Sequence, residues 1–382
     1  NRILGEKAEN VEKAIAAYSA ALKVYTPSAF PQQWAMTQNN LGNAYRNRIL
    51  GEKAENVENA IAAYSAALEV YTRRAFPEDW AGTQYNLGIA YGERILEEKA
   101  ENVENAIAAF SAALEVYTPS AFPQDWAGTQ YNLGIAYGER ILEEKAENVE
   151  NAIAAYSAAL EVYTPSAFPQ DWAMTQYNLG IAYYERILGE KAENVENAIA
   201  AFSTALEVYT PSAFPQQWAG TQNNLGNAYR NRILGEKAEN VENAIAAFSA
   251  ALEVRTRSAF PQQWAMTQNN LGNAYRERIL GEKAENVEKA IAAYSAALEV
   301  YTPSAFPQQW AGTLFNLGTL YQNEKKFDLA YKTFADAIPT VESLRGKIIS
   351  GDESKRKQAE EWNRLYVGMV QVCLALGKKL RR

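Results

Sequence analysis

The sequence predicts an all-α fold, a right-handed superhelical solenoid of antiparallel helix pairs, and three observations carry that prediction. Trp34, Trp80, Trp126, Trp172, Trp218, Trp264 and Trp310 follow one another every 46 residues. Around each runs the same text: A-F-P-x-x-W-A-x-T, then N-L-G-x-x-Y, R-I-L-x-E-K-A-E-N-V-E and A-I-A-A-[YF]. Within each copy the apolar residues recur at helical spacing, in a chain dominated by Ala, Glu, Asn, Leu and Tyr. A period of this size marks a repeat array rather than the two or three globular domains that 382 residues would otherwise suggest.

Each unit reads as two helices. Pro31 stands just before the first, where a missing N–H costs nothing. The stretch 32–49 then places Trp34, Gln38, Leu41, Tyr45 and Ile49 on one side. Gly51 is the expected C-terminal cap, replaced by Glu97 and Glu143 in two copies, where the helix end is expected to differ. Asn56 is the expected N-cap of the second helix, whose apolar stripe is Val57, Ala60, Ile61, Tyr64, Leu68 and Tyr71. Alanines such as Ala62, Ala63, Ala66 and Ala67 let neighbouring helices approach closely. The T-P-S-A-F-P loop turns the chain into the next unit, with its Phe expected to plug the gap between pairs. One hairpin cannot bury both faces alone, so stacking completes the core. The chain thus holds a leading second helix over 10–25 and then seven pairs, a solenoid spanning 1–345. Residues 346–382 form a C-terminal helical cap or connector, with an amphipathic helix over 353–377.

Composition bounds the chemistry. Hydrophobic residues make up 48% and charged residues 21%, as in folded proteins. The net charge of −8 argues against a nucleic-acid partner, which calls for a basic face. No apolar run reaches the roughly 18 residues of a membrane span. There is no histidine, which removes Ser-His-Asp and Cys-His catalysis and the usual zinc sites. Carboxylate, Lys or Tyr chemistry alone would remain, so the expectation is a non-enzyme without metal or cofactor. Cys373 is the single cysteine, which excludes an internal disulfide, and is expected to be a buried structural thiol. The Glu-rich loops around Glu97-Glu98 and Glu143-Glu144 read as solvated surface rather than a calcium site. No signal peptide precedes the first helix, and the expected location is cytoplasmic. The chain begins at Asn1 partway through a repeat and reads as a piece of a longer one.

Asn40-Leu41-Gly42-x-x-Tyr45, followed by Ala60-x-x-x-Tyr64 and Ala67, resembles the tetratricopeptide (TPR) signature over residues 10–345. The units are longer than the usual 34 residues, and the tryptophan lies seven residues before the leucine instead of three. The last unit returns to the usual spacing, with 12 residues from Gly318 to Ala330, followed by Phe334 and Ala337. The repeat text and the tail helix are also similar to the region preceding the caspase-like CHAT protease in bacterial, especially cyanobacterial, TPR–CHAT proteins. That resemblance implies a sensor or regulatory arm whose catalytic domain lies outside this sequence. The TPR resemblance implies a protein- or peptide-binding scaffold whose first helices line a concave groove.

Comparison among the copies points to the groove residues. Relative to each tryptophan, the first helix varies at −2, −1, +2, +5, +9, +12 and +13, positions that fall within one arc of roughly 140° at about 100° per residue. Leu41 and Tyr45 lie on the tryptophan side. The +5 position reads Asn39, Tyr85, Tyr131, Tyr177, Asn223, Asn269 and Phe315. At +9 it reads Asn43, Ile89, Ile135, Ile181, Asn227, Asn273 and Thr319, and at +12 Arg46, Gly92, Gly138, Tyr184, Arg230, Arg276 and Gln322. Tyr supplies rigid contact area with a polar tip, Arg and Asn hold carboxylates and amides, and the glycines leave pockets for partner side chains. The partner is therefore expected to be a protein or peptide. The invariant Asn of N-L-G fits either a ladder along a peptide backbone or hydrogen bonding between repeats, and the second is favoured. The tryptophans, opposite the arc, are expected to pack in the core. End-to-end self-association is a further expectation, because the leading half-repeat exposes apolar surface.

Overall fold

The computed structural model describes residues 2–346 and 353–380, all of them in helices or the turns between helices. Positions 1, 347–352 and 381–382, which include the start and end of the expected C-terminal segment, lie outside the described residues. The chain forms two compact units. The first, 1–208, opens with α1 (Arg2–Ala21) and continues with four pairs. These are α2 (Pro31–Arg46) with α3 (Lys53–Leu68), α4 (Pro77–Glu93) with α5 (Lys99–Leu114), α6 (Pro123–Glu139) with α7 (Lys145–Ala159), and α8 (Pro169–Glu185) with α9 (Lys191–Ala205). The second, 209–382, holds α10 (Pro215–Asn231) with α11 (Lys237–Val254), α12 (Pro261–Glu277) with α13 (Lys283–Leu298), α14 (Pro307–Asn323) with α15 (Phe327–Gly346), and finally α16 (Glu353–Leu380).

Within each unit a second helix packs both on its own first helix and on the first helix of the next pair. Consecutive first helices, such as α4 and α6 or α10 and α12, also touch. Consecutive second helices do not, among the described residues. The first helices therefore form the tighter, inner rank of each array.

The glycine of N-L-G sets the distance within a pair. A Cβ on Gly42 would lie 2.6 Å from the Tyr64 ring, and one on Gly134 2.6 Å from the Tyr156 ring. Each bare glycine lets an aromatic ring of the second helix lie against the first helix backbone. Tyr64, fully buried, joins Val57, Ala60 and Ile61 with Leu87 and Ala90 of the next pair. The inter-pair loop does its expected work: Phe76 meets Tyr71 with ring centroids 5.6 Å apart, beside Ala35 and Ala67.

Several expectations are corrected. The first helix stops at Arg46 rather than 49, so Ile49 sits in the connecting turn, exposed. Asn56 is not an N-cap, because α3 begins at Lys53. It is instead a buried brace: its Nδ2 donates to the Leu50 carbonyl at 2.9 Å and its Oδ1 accepts from Arg48 Nη1 at 3.3 Å. Glu97 and Glu143 do not change the turn. They hold φ of 67° and 68° where Gly51 and Gly189 hold 79° and 75°. Trp126 is half-buried beside Ala81, Ala113 and Tyr117 rather than enclosed. In α16, Trp362, Leu365 and Val372 pack on Phe334 and Val341, whereas Cys373 faces outward, so its thiol is exposed. The helix turns Val372 to the core and its neighbour away from it.

Candidate functional site

The site begins with what holds one first helix to the next. In N-L-G, the amide of Asn132 donates to the Tyr85 hydroxyl at 3.1 Å and to the Gly128 carbonyl at 2.9 Å. Asn178 donates to the Tyr131 hydroxyl at 2.8 Å, Asn86 to Asn39 Oδ1 at 3.3 Å, Asn270 to Asn223 Oδ1 at 3.2 Å and Asn316 to Asn269 Oδ1 at 3.3 Å. The invariant asparagine thus forms a rung to the variable +5 residue of the preceding pair. This is why one position never changes while the acceptor alternates between an amide and a phenol: both present an oxygen at the same place.

The aromatic acceptors are half-buried. Tyr85 packs against Phe110 at 6.1 Å between centroids, Tyr131 against Tyr156 at 6.0 Å, Tyr177 against Phe202 at 6.0 Å and Phe315 against Phe334 at 6.3 Å. Burial raises the Tyr131 phenol to about 12 and pushes the Tyr85 phenol up as well. The amide set divides. Asn43 and Asn273 accept from the hydroxyls of Tyr64 and Tyr294, each at 2.8 Å. Asn223 is buried, and its Oδ1 also takes the Thr267 hydroxyl at 3.1 Å, so Asn223 and Asn273 serve the interior. Asn39, Asn227 and Asn269 are half-buried.

The +12 position decides whether space opens between pairs. Arg46 and Arg230 fill it with a guanidinium whose Nη1 is buried without a hydrogen-bond partner, Arg276 is half-buried there, and Tyr184 occupies it in the fourth pair. Gly92 and Gly138 leave it empty, since a Cβ at either would meet nothing within 4 Å. Two cavities follow. One of about 160 Å³ lies beside Gly92, lined by Ile89, Ile135 and Phe110. The larger, about 520 Å³, lies among α6, α7 and α8 beside Gly138, lined by Ile135, Ile181, Val149, Ala152 and Tyr156. Its rim carries Glu139, Glu143 and Glu185 against Arg140 and Lys145. Arg140 is engaged by Glu104, Nε to Oε1 at 2.6 Å and Nη2 to Oε2 at 2.8 Å, and lies 3.8 Å from Glu143, while Lys99 pairs with Glu139 at 3.3 Å and Lys145 with Glu185 at 3.2 Å, so the rim is a ring of paired charges. The structure thus brings Ile135 and Ile181 together around one opening, with Ile89 at its neighbour.

The arginine clamp was not read from the sequence. Glu58 holds Arg94 by two bonds of 2.6 and 2.8 Å, and the same pairing joins Glu12 to Arg48, Glu150 to Arg186 and Glu242 to Arg278. Its signal was present: the two residues stand 36 apart and are the same in every copy but the last, where Glu324 replaces the arginine.

Antiparallel pairs, a glycine-to-ring contact within each and an inner rank of first helices define the architecture. It is a TPR-like solenoid. No family model and no curated protein matches the chain. Solved structures with a similar fold include a chain of the APC/C hetero-tetramer Cut9–Hcn1, at 17% identity and a TM-score of 0.47. That match covers 86% of this chain, which spans 50% of that one. The C-terminal part of a TPR repeat-containing protein from Cytophaga hutchinsonii aligns at 12% identity over 80% of this chain and 95% of its own, with a TM-score of 0.49. An IFIT1 monomeric mutant with Gppp-AAAA aligns at 15% identity over 100% of this chain and 78% of its own, with a TM-score of 0.47. At these identities the likeness concerns the fold alone.

Proposed function

We propose that the chain is a binding scaffold for an extended segment of another protein, held along the inner rank of first helices and anchored by one apolar side chain in the cavity among α6, α7 and α8. The observation that carries this reading is the combination at that cavity: about 520 Å³ of space, aliphatic walls from Ile135 and Ile181, and a glycine where other pairs place arginine. The volume lies in the range of a ligand pocket. An aliphatic or aromatic anchor suits the walls, and polar residues flanking it suit the rim of paired charges. The half-buried Tyr85, Tyr131 and Tyr177 would offer ring edges along the same rank, with Asn39, Asn227, Asn269, Arg46, Arg230 and Arg276 supplying polar contacts in the other pairs.

Gly138→Arg tests it, because Arg46, Arg230 and Arg276 show that the position accepts that side chain. Peptides selected from a random displayed library against the full chain should share an aliphatic or aromatic anchor. Their affinity should fall at least about tenfold, on the order of 1.4 kcal/mol, in Gly138→Arg with the melting temperature unchanged. Selected peptides that bind the variant equally well would remove the cavity from the reading.

A further inference from the structure

A second surface adjoins that cavity, whose lining includes Ile141. Stacking pairs in one orientation puts every turn between first and second helix on the same edge of the array and every T-P-S-A-F-P loop on the opposite one. At the inter-pair edge the aromatic residues tuck inward, as Phe76 does on Tyr71. At the hairpin edge the reverse holds. Each turn of the 1–208 unit raises an Ile-Leu dipeptide, at 49–50, 95–96, 141–142 and 187–188, whose side chains are 47% to 67% exposed. The polar neighbours change between copies: Asn47 becomes Glu93, Glu139 and Glu185, and Gly51 becomes Glu97 and Glu143. The two aliphatics are the same in all four turns of this unit. The turn itself is held by polar bonds, Asn56 to the Leu50 carbonyl and the Arg–Glu clamp.

We propose that this ridge is a self-association surface, on which a second copy of the chain packs ridge against ridge. Three features select that occupant. The eight side chains together present on the order of 800 Å² of surface, about what one partner contributes to a standard interface. The apolar contacts recur four times at one structural period, and a second copy carries the same period by construction. The lysines of the ridge are neutralised within their own copy, Lys53 by Glu93, Lys99 by Glu139 at 3.3 Å and Lys145 by Glu185 at 3.2 Å, so no lone positive charge has to be buried when two ridges meet. A surface that matches itself closes on a two-fold axis and gives a dimer rather than a filament.

Sedimentation equilibrium of the full chain over roughly 1–100 μM tests the proposal. The expected result is a reversible monomer–dimer equilibrium. Ile95→Glu with Ile141→Glu should weaken it at least tenfold, as should Ile95→Lys with Ile141→Lys. Both side chains are about two-thirds exposed, so helicity should be unchanged in either variant. Mixing the Glu and Lys variants should restore the dimer, which only direct ridge-to-ridge contact explains. A chain that stays monomeric throughout overturns the proposal. So does a dimer indifferent to these substitutions, or open-ended growth through the uncovered face of α1.

Discussion

Glutamate in the left-handed region is the clearest residue-scale anomaly. Glu97 and Glu143 adopt φ of 67° and 68° at a position where four other copies place glycine. A side chain there costs about 1–2 kcal/mol through the clash of Cβ with the carbonyl that follows. A second effect accompanies it. Glu97 lies 3.9 Å from Arg94 Nη2, and Glu143 lies 3.8 Å from Arg140 Nη2. In those same two turns the buried Oδ1 of Asn102 and of Asn148 has no hydrogen-bond partner. In the glycine-bearing turns the corresponding oxygen of Asn56 accepts from Arg48 Nη1. Glu97→Gly and Glu143→Gly should therefore relieve backbone strain and restore that bond. Glycine's own unfolded-state entropy offsets part of the gain. A net stabilisation of about 0.5–1 kcal/mol per site is expected in urea unfolding, and no change or a loss would show that the turn does not strain the glutamate.

At the scale of the element, the pair is fixed by a contact too close for any side chain but hydrogen. Gly134 meets the Tyr156 ring so closely that an alanine Cβ would sit at 2.6 Å, and the ring is held by Ala152, Leu179 and Ala182. Gly134→Ala gains helix propensity but must push the ring away or part α6 from α7. The second effect dominates: about 1–3 kcal/mol of destabilisation is expected from overpacking, against less than about 1 kcal/mol gained in propensity. Hydrogen exchange should localise the loss to the third pair and its neighbours. This level was largely legible in the sequence. Period, helix count and the inward Phe followed from spacing, because every copy obeys the same packing, whereas the contact of the N-L-G glycine with the ring was not read. Nor were the turns. Asn56 was misread as a cap because a buried amide bracing a loop has the same local sequence as an N-cap. Ile49 fell on the apolar side of an extrapolated helix because nothing in R-I-L marks where the helix stops. At the candidate site, the variable positions identified where neighbouring pairs diverge. Spacing did not distinguish Asn223 and Asn273, turned to the interior, from Gly138, which opens a cavity, since all share one arc.

At the scale of the whole molecule, stability is a sum of pair terms and the interfaces between pairs, and arginine clamps contribute to several of those interfaces. Hydrogen bonding to Arg94 and Arg140 holds the carboxyls of Glu58 and Glu104 below their ordinary range, and Arg186 and Arg48 do the same for Glu150 and Glu12. The sign of the resulting pH dependence follows directly. Each carboxyl binds its proton more weakly in the folded chain than in the unfolded one. Their contribution is therefore fully present above the unfolded value of about 4.3 and is lost as the pH falls through the lower folded values. The Glu58, Glu104 and Glu150 clamps lie near the surface, where each contributes about 1 kcal/mol or less, but they recur in register along the array. Unfolding free energy should thus be level in this respect above about pH 5 and fall steeply toward pH 3. Replacing Glu58 and Glu104 with Gln should lower stability at pH 7 and make its decline with acid shallower, because two of the titrating groups are gone. Denaturant unfolding at several pH values reads both effects. Parallel curves for the parent and the double variant would show that the clamps do not set the acid response and that other carboxylates of the chain do.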